Sequence, residues 1–383
     1  MNALSDLKIL DFTTLLPGPY ATMQLADMGA EVIKISSPSK YDLVLEAEPK
    51  IKGRSANLLW LNRNKKTLAL NLKLAESIKI VKELLGEYDI IVEQFRPGVM
   101  EKLGLGYDEL KTVNPRLIYC SITGYGQRGA LSKKAGHDIN YLARSGLMSF
   151  SGRKDSGPVL YGTQIADIAV GSMNSVIAIL AAVNYRRQSG EGQHIDIAMM
   201  DGLLPFNSLI GSQYLGGAPM PTIENEFLNG GSCYDFYKTK DGRYLSVGSL
   251  EPKFWTGLCE ILQIDARGPE DVDAKEEIRK KFMSKDLEEW VEIFADRDVC
   301  VEPVLNLEEV VEDQHIIDRK LIVELDVDGE KVKQFANPIV FSKTKQEYKF
   351  AGKVIGEDTK EIMLKLGYSE DEINEYRDKG VFK

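Results

Sequence analysis

Short β-rich runs alternate with helical patterns through the first half of the sequence, and this alternation limits the fold more than any other feature. Helical patterns separate apolar runs that are rich in β-branched residues, at positions 8–12, 31–35, 67–72, 89–92 and 117–122. Strands that alternate with helices build parallel sheets, because each helix returns the chain to the same edge of the sheet. We therefore predict an α/β fold with a mostly parallel sheet flanked by helices.

The sequence changes in character after residue 215, where glycine and proline mark a linker over 216–221. Beyond it, residues 233–237 and 243–247 are predicted to form an antiparallel pair that turns at Lys240-Asp241-Gly242. Amphipathic helices over 254–294 complete a smaller α+β domain, which we assign to 222–320. The remaining parts are 1–215, which holds the βα pattern, and 321–383, which mixes strand and helix.

Charge and cysteine usage exclude several classes of protein. The net charge of −10 and the pI near 5.1 argue against nucleic acid or an anionic membrane as a partner. The four cysteines have neither C-x-x-C spacing nor paired histidines, so we predict free thiols and no metal site.

The N-terminus lacks a secretory pattern, which predicts a cytoplasmic protein. The apolar run 165–185 contains Asp167 and Asn174, which are costly in lipid, so we predict a buried helix there and no membrane span.

Motifs for dinucleotide binding, P-loops, zinc proteases and serine hydrolases are absent. Ligands of parallel sheets collect at the carboxyl ends of the strands, so segments 17–19 and 123–127 are predicted to lie near any site. Basic residues near strand ends can hold phosphate groups, or can be solvated loop charges. They are Lys34, Lys40, Arg63, Lys65, Lys66 and Arg96.

Two residues are the leading candidates for chemistry. His137 follows Ala135-Gly136, which leaves an imidazole free to face a cleft, and Asp167 is predicted in the first turn of the apolar helix, where backbone N–H groups favour an anion. Their structural alternatives are a hydrogen-bonded histidine and a helix-capping aspartate. Glu251 precedes Pro252 at a predicted helix start and can be a cap. His194 and His315 are interpreted as structural.

Several segments together resemble the family III CoA-transferase superfamily, and within it the alpha-methylacyl-CoA racemase branch. The resemblance covers almost the whole chain and rests on 16–21 (LPGPYA), 25–34 (LADMGAEVIK), 62–66 (NRNKK), 95–99 (FRPGV), 102–107 (KLGLGY), 124–127 (GYGQ), 190–193 (GEGQ) and 366–369 (LGYS). The run Gly136-His137-Asp138-Ile139-Asn140-Tyr141 is similar to the racemases of this superfamily. Where those racemases commonly carry an Arg after the second strand, this sequence reads Ser36-Ser37-Pro38-Ser39-Lys40, so Lys34 or Lys40 is expected to replace that contact with CoA.

The resemblance implies a large Rossmann-like domain formed by both chain ends, so that 321–383 returns to the first part, and a small domain. It also implies an interlocked homodimer that acts on an acyl-CoA thioester and needs no further cofactor. The catalytic residues of the superfamily fall on His137 and Asp167, with Glu251 orienting the imidazole. Residues expected to bind the CoA part are Pro17, Lys34, Arg63, Lys65, Lys66, Arg96, Gly124, Tyr125 and Gly126.

The leading hypothesis is a racemase or epimerase of 2-methyl-branched acyl-CoA thioesters. One base removes the α-proton, backbone donors near the start of the Asp167 helix hold the enolate, and the other group returns a proton to the opposite face. A CoA transferase with Asp167 as nucleophile is the alternative. A third hypothesis is an acyl-CoA-binding protein without turnover.

Overall fold

Six parallel strands form the central sheet of the protein, in the order β10-β7-β6-β1-β2-β5. The computed structural model describes residues 2–39, 42–265 and 267–382. The predicted α/β fold with a mostly parallel sheet is therefore confirmed. From β1 the chain builds outward through β2 and β5 on one side and through β6, β7 and β10 on the other, so the strand order reverses beside β1. In open α/β sheets such a reversal opens a crevice at the carboxyl ends of the strands.

The strands and helices are numbered in the order in which they occur along the chain. The strands are β1 Lys8–Asp11, β2 Glu31–Ser36, β3 Lys50–Ile51, β4 Arg54–Ser55, β5 Lys65–Ala69, β6 Ile90–Glu93, β7 Ile118–Thr123, β8 Gly152–Arg153, β9 Gly157–Pro158, β10 His194–Ala198, β11 Asp235–Lys238, β12 Tyr244–Val247, β13 Val301–Pro303, β14 Ile322–Val327 and β15 Glu330–Phe335. The α-helices are α1 Pro17–Asp27, α2 Ala56–Leu61, α3 Ala75–Leu84, α4 Val99–Lys102, α5 Tyr107–Val113, α6 Asp138–Arg144, α7 Ser175–Ser189, α8 Met199–Leu203, α9 Ser208–Leu215, α10 Pro252–Leu262, α11 Val272–Phe282, α12 Leu287–Phe294, α13 Leu307–Glu312, α14 Gln314–Asp318, α15 Thr359–Lys365 and α16 Glu370–Asp378. Short 3₁₀ turns cover Leu147–Ser149 and Leu204–Asn207, and a π-helical stretch covers Ala166–Asn174.

Strands β1, β2, β6 and β7 are buried on both faces of the sheet, which explains why they are almost continuously apolar in sequence. Successive side chains of a strand point to opposite faces, and Ile9 and Leu10 of β1 accordingly belong to different cores. One core contains Leu10, helix α3 and the C-terminal residues Val381 and Phe382. The other contains Ile9 and residues of α1 and α7. Burying one such aliphatic side chain contributes about 1.5–3 kcal/mol of stability. The two cores therefore stabilise the packing of helices on both faces of the sheet.

One strand lies at a different position from the prediction. Strand β5 covers Lys65–Ala69, whereas the apolar run in the sequence predicted a strand over 67–72. Lys65 opens the strand with its side chain fully buried, because the carboxylate of Asp11 neutralises its charge. The apolar pattern gives no sign of a paired lysine inside a sheet.

The chain divides into two compact units. The first, which we call the sheet unit, comprises Met1–Leu142, Gly162–Leu203 and Ile317–Lys383. The second unit comprises Ala143–Tyr161 and Leu204–Ile316. These units differ from the limits predicted from sequence, 1–215, 222–320 and 321–383, because segments 143–161 and 204–215 lie in the second unit.

The second unit has its own apolar core and a three-stranded antiparallel sheet in the order β11-β12-β13. Strands β11 and β12 form the predicted hairpin, with Asp235 opposite Val247. Helices α10, α11 and α12 contribute Trp255, Phe282 and Trp290 to the core. The edge-on contact of Phe282 with Trp290, at 5.1 Å between ring centroids, is a favoured aromatic geometry.

The predicted long apolar helix is continuous over Ala166–Ser189, with the π-helical stretch at its start followed by α7. Among the described residues it is the one helix long and apolar enough to span a membrane. Half of its most apolar 18-residue stretch is buried inside the protein. Ile179 and Val183 of this helix pack in the core that contains α1. The helix therefore serves as a core element of the sheet unit.

Candidate active site

A cavity of about 320 Å³ opens at the carboxyl ends of the strands, beside the point where the strand order reverses. Thr14 lies beyond β1, Gln94–Pro97 follow β6, and Thr123 ends β7, and all of them line it. The cavity lies wholly within residues of the sheet unit. Parallel sheets bind their ligands at this edge, so the position agrees with the one expected from the strand pattern.

His137 lines the cavity from the turn that leads into α6. Its backbone N–H donates to the side-chain oxygen of Asn140 at 3.0 Å, and its carbonyl accepts the N–H of Asn140 at 2.8 Å. Gly136 passes so close to Tyr141 that an added Cβ would lie 2.6 Å from the ring. The hydroxyl of Tyr141 donates to the carbonyl of Gly136 at 2.6 Å. The Gly-His-Asp-Ile-Asn-Tyr run therefore folds on itself and presents an exposed imidazole to the cavity.

Asp167 lines the same cavity from the second residue of the π-helical stretch. Its carbonyl accepts the hydroxyl of the buried Ser172 at 3.0 Å, and that hydroxyl also donates to the carbonyl of Pro17 at 2.7 Å. Burial, together with the nearby charge of Asp138, raises the pKa of Asp167 to about 7. A carboxyl group with this pKa exchanges protons readily near neutral pH.

The backbone N–H groups at the start of this helix do not stabilise Asp167 as the sequence led us to expect. Asp138 Oδ1 accepts the N–H of Ala166 at 2.6 Å and the N–H of Asp167 at 3.1 Å. Asp138 occupies these donors, so the side chain of Asp167 gains no such bond. Burial, followed by the charge of Asp138, therefore raises its pKa without opposition from these donors. Backbone donors near the start of this helix were expected to hold an enolate, and the N–H groups of Ala166 and Asp167 are engaged by Asp138 in this conformation.

The loop after β6 supplies further polar groups to the cavity. Arg96 and Gln94 line it, and Gln94 Oε1 accepts the N–H of Gly18 at 3.0 Å, which ties this loop to the start of α1. Glu93 lies beneath the loop with 4% of its surface exposed, and its Oε2 accepts the N–H of Phe95 at 2.7 Å. Burial raises the pKa of Glu93 to about 7. Lys134 adds a second cation to the cavity wall.

A second cavity of about 280 Å³ adjoins the first, since Thr14 and Phe95 line both. Its wall is formed largely by residues at or just beyond the carboxyl ends of β1, β2 and β5 and in the segment after β6. It includes the apolar side chains of Ile35 and Leu72 and the cation of Lys73. The two cavities together line the carboxyl edge of the sheet on both sides of β1.

The residues predicted to bind CoA fall into different environments. Pro17, Arg96 and Gly124 line the cavity that contains His137. Tyr125 packs edge-on against Tyr141, with ring centroids 5.2 Å apart, and is nearly buried. The N–H of Gly126 donates to Thr123 Oγ1 at 2.8 Å, at a φ of +79° that favours glycine. Tyr125 and Gly126 thus support the loop behind the wall.

The basic residues near the first strands mostly form buried ion pairs. Lys34 and Lys65 each lie 3.2 Å from a carboxylate oxygen of Asp11, and all three side chains have at most 2% of their surface exposed. Burial alone would raise the pKa of Asp11, but the two lysines hold it below its ordinary value. Burial lowers the pKa of Lys65 to about 8.

Arg63 is likewise buried against Asp27, with no exposed surface on either side chain. Lys66 is partly exposed and pairs with Glu361 at 2.6 Å, away from both cavities. No ligand can reach Lys34, Arg63 or Lys65 in this conformation, so the geometry gives no support to their predicted contact with phosphate. Lys40 lies outside the described residues.

Glu251 belongs to the second unit, where it occupies the N-cap position of α10 with an exposed side chain. Its side chain accepts no capping hydrogen bond. Its predicted action on His137 stays a prediction. His194 is structural as interpreted: its ring stacks on Tyr107 and its Nε2 lies 2.9 Å from Ser121 Oγ.

Sequence reasoning missed Asp138, Glu93, Gln94 and Lys134. The signal for Asp138 was present, because it follows His137 directly, but only the folded chain brings it to Ala166 and Asp167. Within residues 2–39, 42–265 and 267–382, no cluster of His, Cys, Asp and Glu could hold a metal ion, and the four cysteines are free.

The parallel sheet, and a cavity at its carboxyl edge that contains an imidazole and a carboxyl group, place the protein among the α/β enzymes. Residues 4–359 match the family described as CoA-transferase family III, and the chain belongs to that family. It is 34% identical to human alpha-methylacyl-CoA racemase over 97% of this chain and 95% of that protein. It is also 32% identical to mouse succinyl-CoA:glutarate CoA-transferase, over 100% of this chain and 91% of that protein.

A solved structure of a CAIB/BAIF family protein from Brucella suis superposes with a TM-score of 0.84. The sequence identity is 27%, and the match covers 96% of this chain and 100% of the other. The family assignment made from sequence motifs is therefore confirmed. Racemases and transferases are similar to this chain to nearly the same degree, so the choice of reaction depends on the site.

Proposed function

We propose that this protein is a racemase or epimerase of 2-methyl-branched acyl-CoA thioesters. The observation that carries the proposal is that His137 and Asp167 line one cavity, and that burial and Asp138 bring the pKa of Asp167 to about 7. A reaction that moves a proton off and onto carbon needs two groups that each exchange protons near neutral pH. The similarity to human alpha-methylacyl-CoA racemase supports the same reaction.

The two groups share one proton in the proposed mechanism. With one hand of substrate, neutral His137 takes the α-proton and becomes an imidazolium, the electrons of the C–H bond move into the enolate, and protonated Asp167 donates its proton to the opposite face. The enzyme is then left with an imidazolium and a carboxylate. This is the form that accepts the other hand of substrate, because Asp167 now acts as base and His137 as acid.

The thioester lies in the cavity that contains His137, and the nucleotide part of CoA extends into the adjoining cavity. Thr14 and Phe95 line both spaces, so an elongated ligand that bridges them contacts both residues. The cations of Arg96 and Lys73, one in each cavity, complement the negative phosphates. This arrangement replaces the phosphate contacts predicted for Lys34, Arg63 and Lys65.

The deciding experiment follows α-deuteration and loss of configuration of each enantiomer of a 2-methylacyl-CoA in D₂O. Wild-type protein is expected to deuterate and racemise both. His137→Ala is expected to lose exchange from one enantiomer and Asp167→Asn from the other, each by about 10²–10⁴-fold, because each variant keeps one base. His315→Ala is the matched control, since it removes an exposed histidine of the second unit. Full exchange by His137→Ala with both enantiomers would contradict the proposal.

A CoA transferase is the second candidate, and it is favoured by the similarity to succinyl-CoA:glutarate CoA-transferase. Asp167 would attack the thioester carbonyl, release CoA thiolate and carry the acyl group as a mixed anhydride. That chemistry predicts ping-pong kinetics, CoA transfer to a free carboxylate and an acyl-enzyme that hydroxylamine traps. Binding of thioester with neither exchange nor transfer would identify an acyl-CoA-binding protein.

We also propose a homodimer. Supporting it, α9 carries large apolar side chains in solvent, with Leu209 63% and Leu215 86% exposed. Exposed apolar surface of this kind marks protein interfaces. Sedimentation equilibrium is expected to give twice the chain mass of 42.8 kDa, and a monomer at micromolar concentration would exclude a stable dimer.

A further inference from the structure

One carboxylate connects the two segments that carry His137 and Asp167. Asp138 directly follows His137, and its Oδ1 accepts the N–H groups of Ala166 and Asp167, which are 28 and 29 positions further along the chain. The side chain is only partly exposed. The start of the Asp167 helix is therefore capped by the residue next to the histidine.

This cap has a consequence for the ionisation of the two aspartates. Burial raises the pKa of Asp138, but the two N–H groups act in the opposite direction and favour its charge. Asp167 has no such bond, and after burial the charge of Asp138 is the remaining cause of its raised pKa. Of the two carboxyl groups, only Asp138 has N–H donors that favour its charged form, so Asp138 is expected to lose its proton more readily than Asp167.

The other charged and titratable groups that face Asp167 belong to the same cavity. They are His137, Tyr141, Arg96 and Lys134. Burial, followed by the charge of Asp167, raises the pKa of Tyr141 to about 12, so its hydroxyl stays neutral. Asp138 is the anion among the groups that act on Asp167.

We propose that Asp138 is a positioning residue that acts through Asp167. Its carboxylate fixes the helix start beside His137, and its charge adds to the effect of burial in favouring the protonated form of Asp167, so that Asp167 is available as a proton donor. The inference rests on the proposed function, because it concerns how the same site is prepared for proton return.

Neutral substitutions of Asp138 separate these two effects. Asp138→Asn removes the charge and retains an oxygen at the position of Oδ1, whereas Asp138→Ser removes the charge with a shorter side chain. For both, we expect the limb of the pH–rate profile that depends on protonated Asp167 to move to lower pH. Above that limb, α-deuteration through Asp167 as acid should fall roughly tenfold per pH unit of the shift, with KM unchanged. Asp138→Glu, which retains the charge, should restore the wild-type limb.

Ser369→Ala is the matched control, because Ser369 caps α16 by accepting the N–H of Glu372, and none of the residues that line the two cavities belongs to this cap. It is expected to lower the melting temperature and leave the pH profile unchanged. A wild-type profile in both Asp138→Asn and Asp138→Ser would overturn the inference. If one of the two does not fold, the other decides.

Infrared difference spectra between wild type and Asp167→Asn provide a readout that does not depend on turnover. A protonated-carboxyl band at pH 6 should be present in wild type and weaker when Asp138→Asn is used as the background, because burial still favours the protonated form there. If this band behaves as expected but no α-deuteration occurs, the proposed racemase function fails and the role of Asp138 stands. If the band is insensitive to Asp138→Asn, the inference fails whatever the reaction is.

Discussion

The guanidinium group of Arg63 holds the carboxylate of Asp27 by two parallel contacts, from Nε at 2.9 Å and from Nη2 at 2.6 Å. Neither side chain has exposed surface, and Arg63 Nη1 also donates to the carbonyl of Phe335 at 2.6 Å. The pair therefore joins α1, the turn after α2 and the C-terminal segment of the sheet unit. A residue that the sequence suggested as a ligand contact is part of the interior.

Arg63→Ala is expected to lower the free energy of unfolding by about 3–5 kcal/mol, because it leaves the buried Asp27 without its partner. Lys66→Ala is the control, since its pair with Glu361 is partly exposed and should contribute at most about 1 kcal/mol. Urea titration of both variants measures the difference. A stable Arg63→Ala protein with a raised KM for acyl-CoA would instead support the phosphate contact.

Asp167→Asn is expected to stabilise the protein at pH 8 and to have little effect at pH 4. The pKa of Asp167 is about 7 in the folded chain and near the ordinary value of 3.8 when unfolded. Between these values the folded chain holds the additional proton, so stability falls as the pH rises through this window, and the loss is complete above pH 7. Calorimetric melting temperatures at the two pH values test this, and an equal change at both would show that Asp167 does not titrate as described.

Glu93→Ala is expected to reduce both stability and activity, because Glu93 Oε2 anchors the N–H of Phe95 beneath the loop that carries Gln94 and Arg96. Loss of an acceptor for a buried N–H costs about 1–3 kcal/mol. Glu93→Gln keeps an acceptor and should retain most of the activity. Urea midpoints and kcat/KM for the three proteins provide the comparison, and equal effects of the two substitutions would contradict an anchoring role.

Gly192→Ala is expected to destabilise the sheet unit by about 1–3 kcal/mol, as overpacking commonly does. A Cβ at Gly192 would lie 2.0 Å from the backbone oxygen of Leu117, just before β10 joins β7. Gly162→Ala is the matched control, since nothing lies within 4 Å of its added Cβ. Thermal unfolding of both proteins is the measurement; similar melting temperatures would mean that the strand can move aside.

The apolar pattern was sufficient to predict most of the sheet. Strands β1, β2, β6 and β7 lie within one or two residues of their predicted positions, because sheets that are covered on both faces select continuous apolar runs. Strand β5 was displaced because Lys65 is compensated by Asp11, 54 positions away. A pattern based on hydrophobicity treats such a lysine as exposed.

The site was predictable in part for the same reason. The strand pattern indicated that the site lies at the carboxyl edge of the sheet. Pro17, Gly124 and Arg96, which were predicted to bind the ligand, line the cavity there with His137 and Asp167. The pattern did not separate Arg96, which is exposed at the cavity, from Arg63, which is buried in an ion pair. Both are basic residues close to a strand, and only their folded partners distinguish them.

The sequence by itself determined the α/β class, the family and the edge of the sheet where ligands bind, because apolar periodicity and local motifs are properties of neighbouring residues. The tertiary structure decided which charges are available to a ligand and which are consumed in the interior. It also decided the ionisation of Asp167, since the sequence favoured its anion, whereas burial and the contact of Asp138 with the helix start raise its pKa. Electrostatic free energies depend on burial and on partners distant in the chain, and these exist only after folding.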